Sequence, residues 1–436
     1  MFDASRPFSA RRADGGHLRS VLRASLLLVT VLSACAAPAV PEAGDAAAPD
    51  PASEAPAPAA PVTVGSALYT FTATTYPDLV PPPDRPRAGG SLTTFGDDFL
   101  LATAAGELYR LSWDGEGPLR STLLPVRLPF DRQALVEAAG AGMAAPFRIL
   151  DLLVDERGPT PRLYLAHHAW HPAERCISLR VSAWDWVDTP ASGDLEGPWQ
   201  TVFDTSPCLE LERQWPRGEG ADSSGGRLAL HPDGLLLSVG DHGGDGSDGM
   251  EAFPQDTGNS YGKILLLSGT GESRVFSVGH RNPQGLTVDD QGRVWSSEHG
   301  PEGGDELNLV VRGGNYGWPL ATYGTSYTGE PWPLAEDPRT HGRFREPALA
   351  FVPSVGTSQL LEIRGTALPE WTGDLLLASL RAELLFRIRR SGDRVVFAER
   401  INIGMRVRDM VEAPDGRLLL WNDAGQVVVL VRTPEA

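Results

Sequence analysis

Lysine is nearly missing from this chain. Lys263 is the one lysine among 38 basic residues, and 56 acids leave a formal net charge of −18 over 436 residues. Nucleic acid is thereby excluded as a partner, since its phosphates would be repelled and the arginines form no basic run beyond the N-terminus. An acidic surface of this kind keeps a protein soluble and fits a neutral substrate at least as well as a charged one. Helical periodicity is also missing. Past Val64 no long stretch repeats its apolar residues every 3.6 positions, which argues against a helical bundle. The apolar run Ala24 to Ala34 is too short to span a membrane as a mature helix. Cysteine is scarce, with three in all, Cys35, Cys176 and Cys208.

What is present begins with an export signal. Arg6, Arg11, Arg12, Arg19 and Arg23 precede the apolar run, and Leu32-Ser33-Ala34-Cys35 resembles a bacterial lipoprotein processing site. Residues 1–35 are therefore expected to be a lipoprotein-type signal peptide with Cys35 acylated, which places the protein in the cell envelope or periplasm and leaves that lipid as its contact with the membrane. The Arg11-Arg12 pair raises a twin-arginine route, for which Ala13-Asp14 is a poor continuation. Residues 36–63 are Ala, Pro, Glu and Asp for the most part, cannot bury a core, and read as a disordered tether. In an exported chain Cys176 and Cys208 are more often bridged than two separately buried thiols, and both alternatives stay open.

From Val64 onward one unit recurs, an apolar segment that runs into an Asp/Gly turn and leaves it as a second apolar strand. Its instances are SLTTFGDDFLLAT from Ser91, FRILDLLVDERGPTPRLYLA from Phe147, RLALHPDGLLLSV from Arg227, GLTVDDQGRVWSS from Gly285, LPEWTGDLLLASL from Leu368 and DMVEAPDGRLLLW from Asp409. Six such units over residues 64–436 predict an all-β fold, a six-bladed propeller with its site in the central channel at one end. A two-sheet sandwich would need fewer strands.

The residues most unusual for a structural role lie between Gly279 and Pro319. GHRNPQG sets Arg281 and Asn282 on a loop punctuated by Pro and Gly, and EHGPEGGDELN follows a short strand with a Gly-Pro turn and a run of acids. Turn carbonyls beside acids suit a hard cation such as Ca²⁺, although each element taken singly is more often a plain turn or a solvated acidic face. Gly240 to Gly246 is a second Gly- and Asp-rich loop, without the ending of a phosphate loop or the spacing of an EF-hand. Near the C-terminus, Arg406 and Arg408 stand two apart, so on an extended segment both point to one side, where they pair either with one ligand's carboxylates or with acids of a surface strand.

GHRNPQGL, EHGPEGGDELN and NYGWP, in this order and spacing, resemble the soluble sugar dehydrogenases that use pyrroloquinoline quinone (PQQ), the glucose/sorbosone dehydrogenase group. Through GDHGG, GKILLL and SLRAELLFRI the resemblance runs from about Ser66 to Val431. It implies PQQ and Ca²⁺ as cofactors, with the carbonyls of Gly300 and Pro301 as metal ligands and Arg281 and Asn282 against the reactive quinone carbonyl. It further implies that Arg381, Arg406 and Arg408 hold the quinone carboxylates, with Arg381 where family members often have lysine, and that Asp241 lies at the mouth of the site. The implied reaction is hydride transfer from the anomeric carbon of an aldose; the electron acceptor is unknown. His299 sits in the metal loop, and family members draw their base elsewhere. That base is a histidine three residues before the Gly of Gly-Arg-Leu, where this chain has Ser223; Leu101-Ala102-Thr103-Ala104-Ala105-Gly106 likewise has small apolar residues where the family usually shows a Glu-Arg pair. Either a neighbour such as His242 takes the proton, or the chain is a catalytically impaired propeller that binds sugar or cofactor.

Overall fold

Between the apolar runs lie tight turns whose glycines take left-handed backbone, Gly96 at φ +57°, Gly292 at +77° and Gly416 at +79°, a conformation glycine adopts without steric cost. The computed structural model describes residues 57–434 apart from 86–88, 114–116, 143, 145, 187–198, 212–221, 248–250 and 270. Antiparallel strands joined by such turns build six separate sheets. Their innermost strands are Ser91–Phe95, Ile149–Asp155, Gly225–His231, Pro283–Val288, Thr357–Glu362 and Val407–Glu412. Each of these packs against the next in chain order, and the sixth returns to the first. The ring is closed, and the fold is a six-bladed β-propeller.

The last blade is shared by the two ends of the chain. Thr70–Tyr76 pairs with Val427–Arg432 over six residue pairs, and Val62–Gly65 adds a fifth strand outside it. Ordered structure thus begins slightly before Val64, because Val62 and Thr63 pair with Ala73 and Thr72 and the Ala59 amide bonds the Thr75 carbonyl. Most of the expected tether, and the signal segment with Cys35, lie outside the described residues. The fifth blade also differs from expectation. Its inner strand is Thr357–Glu362, and Leu368 to Trp371, read above as part of a strand, is a single 3-10 turn with Pro369 at its start.

Leu, Val, Ile and aromatic side chains fill the spaces between neighbouring blades, as with Leu100, Phe147 and Leu165, or Trp295, Leu375 and Phe386. Each such buried side chain contributes roughly 1.5–3 kcal/mol. Cys176 and Cys208 are bridged, tying the third strand of blade two to the segment that pairs with it through Leu209 and Glu210. The only α-helix among the described residues is Arg132–Ala139, started by Asp131, whose carboxylate accepts from the Ala134 amide. No helix among them is long and apolar enough to cross a membrane.

Polar side chains, in contrast, fill the axis. Arg227 donates to Asp151 (3.0 Å) and reaches Asp409 (3.1 Å), both fully buried, and its remaining donors take the carbonyls of Gln284 (2.8 Å) and Arg408 (2.7 Å). Ser91 bonds both carboxylates and Gln359 donates to Asp409, so all six inner strands enter one network. Burial, opposed by Arg227 and reinforced by Asp409, pushes Asp151 up to about 6. Five of the six inner strands shift register against their neighbour at this level, at Ile149/Asp151, Gly225/Leu228, Pro283/Gly285, Thr357/Leu360 and Val407/Asp409. Bulges of this kind re-aim side chains. Here they turn Arg227, Gln359 and Arg408 toward the middle.

Candidate active site

The strands alternate in direction, so the starts of the inner strands and the ends of their neighbours share one end of the propeller. Almost every residue singled out in the sequence lies there. Arg281 precedes the inner strand of blade four. Its amide donates to Glu298 Oε2 (2.8 Å), its Nη1 to the Gly300 carbonyl (2.8 Å), and its guanidinium lies over the Trp318 ring at 5.3 Å. Glu298 is itself fixed by His280 Nδ1 (2.9 Å), whose other nitrogen meets Ser277 Oγ (2.8 Å), so the motif GHRN is clamped from beneath by a buried Ser-His-Glu chain. Asn282 accepts from the Gly225 amide and from Gln284 Nε2, and donates toward the Asp222 carbonyl (3.4 Å).

On the opposite side, Arg406 Nε and Arg408 Nε both donate to the carboxylate of Asp423, each at 2.9 Å. The sequence reading placed both on one extended segment; in fact Arg406 precedes the strand and Arg408 occupies its bulge, and the bulge makes the two converge. Burial opposes ionisation of Asp423, but Arg408 and Arg406 hold it below the usual carboxylate range. Arg406 also donates to the Leu380 carbonyl (3.0 Å), which brings the start of the 381–383 turn alongside. Arg381 itself is the most exposed cation of the set, 3.4 Å from Glu302.

Asp241 is 1 % exposed. Its carboxyl accepts from Trp318 Nε1 (2.7 Å) and the Gly243 amide (2.9 Å), and its own amide donates to the Arg281 carbonyl (2.8 Å). Burial pushes it up to about 7 against the pull of Arg281. Gly240 before it lets the chain approach Ser223, whose carbonyl would lie 1.8 Å from any Cβ at that position.

The two candidate histidines differ: the ring nitrogens of His242 are buried without a partner, and those of His299 are both engaged. His242 takes a left-handed backbone (φ +51°), is buried, and has no hydrogen-bond partner on either ring nitrogen. Burial and then Arg148 push its pKa down to about 3, so it is neutral at pH 7. Because both its nitrogens are sealed from solvent, it fails as a base in this conformation. His299 donates from Nε2 to the Thr357 carbonyl (2.6 Å), which leaves Nδ1 to accept from Asn282 (3.4 Å); burial lowers its pKa. Ser223 is buried and its carbonyl accepts the His242 amide (3.1 Å).

Arg148, which opens the inner strand of blade two, was not anticipated. It is 8 % exposed and shares the Asp222 carbonyl with Asn282, its Nη2 lying 3.3 Å away. Burial, then the proximity of Arg408, push its pKa down to about 10. A lone arginine in the apolar run Phe147-Arg148-Ile149-Leu150 was the signal available. Asp423, the partner of Arg406 and Arg408, was missed for lack of any motif around it.

Arg281, Arg381, Arg406 and Arg408 gather at this end, the last three paired with Glu302 and Asp423, and guanidinium forks so grouped suit a polycarboxylate such as a quinone acid. For a cation the fit is poorer. Among the described residues no group of three or more His, Cys, Asp or Glu converges, and the Gly300 carbonyl already accepts from Arg281. Beside Arg281, Glu298 and Gly300 lies only a hollow of about 10 Å³. A cleft of about 1090 Å³ opens elsewhere at this end, over blade one between Pro81 to Arg85, Ala104-Ala105 and Phe130. It contains none of the predicted site residues, so the chemistry is placed by the arginines and not by cavity size.

Similarity to known proteins identifies the family. The family profile described as Glucose / Sorbosone dehydrogenase matches residues 204–431. Aldose sugar dehydrogenase YliI of Escherichia coli (strain K12) is 30% identical over 239 residues, 51% of this chain and 63% of that protein, so the match spans less than two thirds of that relative. Quinoprotein glucose dehydrogenase B of Acinetobacter calcoaceticus is 27% identical over 330 residues, 55% of this chain and 68% of that one. A crystal structure of a glucose dehydrogenase superposes with a TM-score of 0.64 at 27% identity, over 81% of this chain and 98% of its own.

Proposed function

The chain belongs to the glucose/sorbosone dehydrogenase family, and from that premise we propose that it binds PQQ at the arginine-rich end of the propeller and oxidises an aldose at its anomeric carbon. The observation that carries this reading is the convergence of Arg281 and Asn282 with Arg406 and Arg408 at one end of the axis. The name of the quinoprotein relative supports the choice of cofactor. Arg381, Arg406 and Arg408 would hold the quinone's carboxylates, and Arg281 and Asn282 its reactive carbonyl. Calcium enters the proposal only through the family resemblance and the carbonyls of Gly300 and Pro301, and no step is derived through it.

When bound, PQQ supplies the electrophilic carbonyl that accepts a hydride. The aldose gives up that hydride from its anomeric carbon and a proton from its anomeric hydroxyl, becoming a lactone; the electrons then leave to an external acceptor. Arg281 is held for this task by Glu298 and the Gly300 carbonyl, so its charge costs no reorganisation when negative charge develops beside it. Asp241 tunes that charge, being protonated below pH about 7 and so leaving Arg281 less compensated. Removal of the hydroxyl proton is the weak step, since Ser223 is a poor base and the ring nitrogens of His242 are sealed.

That weakness favours a second reading, a propeller that binds quinone or sugar with little turnover. Reconstituting the full chain with PQQ, with and without Ca²⁺, while following quinone absorbance and dye reduction by aldoses, tests both. Binding is expected in the wild type, and Ser223→His is expected to raise turnover at least tenfold, since a positioned base contributes roughly 10²–10⁴-fold. No quinone binding would overturn the cofactor assignment. Binding without turnover in either variant would leave the binding module as the function.

A further inference from the structure

Among the described residues the buried Arg148 meets no carboxylate at hydrogen-bond distance. Its acidic neighbour is Asp222, whose Oδ1 stands 3.7 Å away on a side chain 62% exposed. Among the described residues its fork makes one hydrogen bond, from Nη2 to the Asp222 carbonyl. Arg406 and Arg408, by comparison, share a buried carboxylate at 2.9 Å. Arg148 is fixed at its backbone. Its backbone amide donates to His168 Nδ1 (3.0 Å), and His168 Nε2 donates to Ser224 Oγ (2.8 Å), so the arginine, the histidine and the strand carrying Ser223 and Ser224 are locked together. Gly89 packs against its Cβ and Cδ, each 3.3 Å from where a Cβ of Gly89 would lie.

A buried guanidinium without a matched acid is costly unless a ligand supplies the missing charge. Position says which ligand. The quinone's carboxylates are assigned to Arg381, Arg406 and Arg408, whereas Arg148 borders Asp222 and Ser223, the place where the hydroxyl of the reacting sugar must lose its proton. We propose that Arg148 is a specificity-determining residue that binds an anionic group on the sugar, so that the preferred substrates are aldoses carrying a carboxylate or a phosphate and not neutral hexoses. The proposal rests on the sugar oxidation argued above. The acidic net charge does not oppose it, because surface charges are screened within about 8 Å at physiological ionic strength while a buried arginine is not.

The test uses the full chain loaded with PQQ and Ca²⁺, assayed with glucose, glucuronate and glucose 6-phosphate, and a calorimetric titration of the same three sugars. An anionic aldose is expected to be preferred over glucose by at least tenfold in kcat/KM, in line with a hydrogen bond to a charged group of about ten- to hundredfold. Arg148→Gln is expected to abolish that preference by raising KM for the anionic sugar, while quinone affinity and the KM for glucose stay within twofold. Glucuronate alone, or the phosphate ester alone, showing the preference identifies which anion is read. The proposal is overturned if glucose is preferred by the wild type, or if Arg148→Gln weakens quinone binding, which would place Arg148 among the cofactor's anchors. Should no sugar be oxidised, the calorimetric arm still decides, because Arg148-dependent heat with glucuronate or glucose 6-phosphate supports the site and its absence sinks it.

Discussion

Asp241 shows how burial alone sets chemistry at the residue scale. Its ordinary carboxylate value lies near 4, and in the folded chain it rises to about 7, through burial first, with Arg281 pulling down and Asp245 pushing up. Below pH about 4 both folded and unfolded chains hold the proton. Between pH 4 and 7 only the folded chain does, so stability falls as pH rises through this window, by about 1.4 kcal/mol per unit, and levels off above it. Asp151, raised to about 6, adds a slope of the same sign. The buried neutral histidines His167 and His242, at about 4 and about 3, contribute the opposite slope below pH 6.5, so the check is a difference between two proteins: Asp241→Asn is expected to lose the downward component and to gain melting temperature relative to the wild type as pH rises from 5 to 7, whereas identical pH profiles would show that Asp241 ionises normally. Such residues differ in how far sequence reveals them. Arg281, Asn282 and Gly300 stand in contiguous motifs whose Gly and Pro residues announce a shaped loop. Arg148 and Asp423 owe their positions to strands far apart in the chain, and nothing local marks them.

At the scale of elements, the bulges on the inner strands matter most. They turn Arg227 into the axis, where it neutralises Asp151 and Asp409, both essentially without solvent. Removing the cation strands two buried carboxylates, a loss of about 3–5 kcal/mol. Arg227→Met should accordingly lower the denaturant midpoint sharply, and adding Asp151→Asn and Asp409→Asn should recover much of it. If the single variant melts like the wild type, the axis is wetter and less coupled than its hydrogen bonds imply. The strand-turn-strand units themselves were legible because turns containing Asp and Gly sit between apolar runs. Blade five broke that rule, since its first hairpin turns through Arg364-Gly365 and a Pro-started 3-10 turn, which hid the inner strand Thr357–Glu362. Register shifts were illegible altogether, as they answer to packing across the axis and not to residue period.

For the whole molecule, six repeats predicted six blades, but not that the N-terminal strands would complete the last one. The stretch ahead of them carries the expectation of a lipid on Cys35. Full-length protein expressed in a bacterial host that processes lipoproteins is expected to partition with membranes, and Cys35→Ser to release it; freely secreted, unacylated wild type would remove the lipid anchor from the account. The strand Thr70–Tyr76 faces Val427–Arg432 across more than 350 residues of chain. Contacts so distant in sequence form late. The opening strands must therefore wait, unpaired, until Val427–Arg432 has been synthesised, and the ring cannot lock before then. That clasp makes the strand Val427–Arg432 the one whose arrival licenses folding of the whole ring.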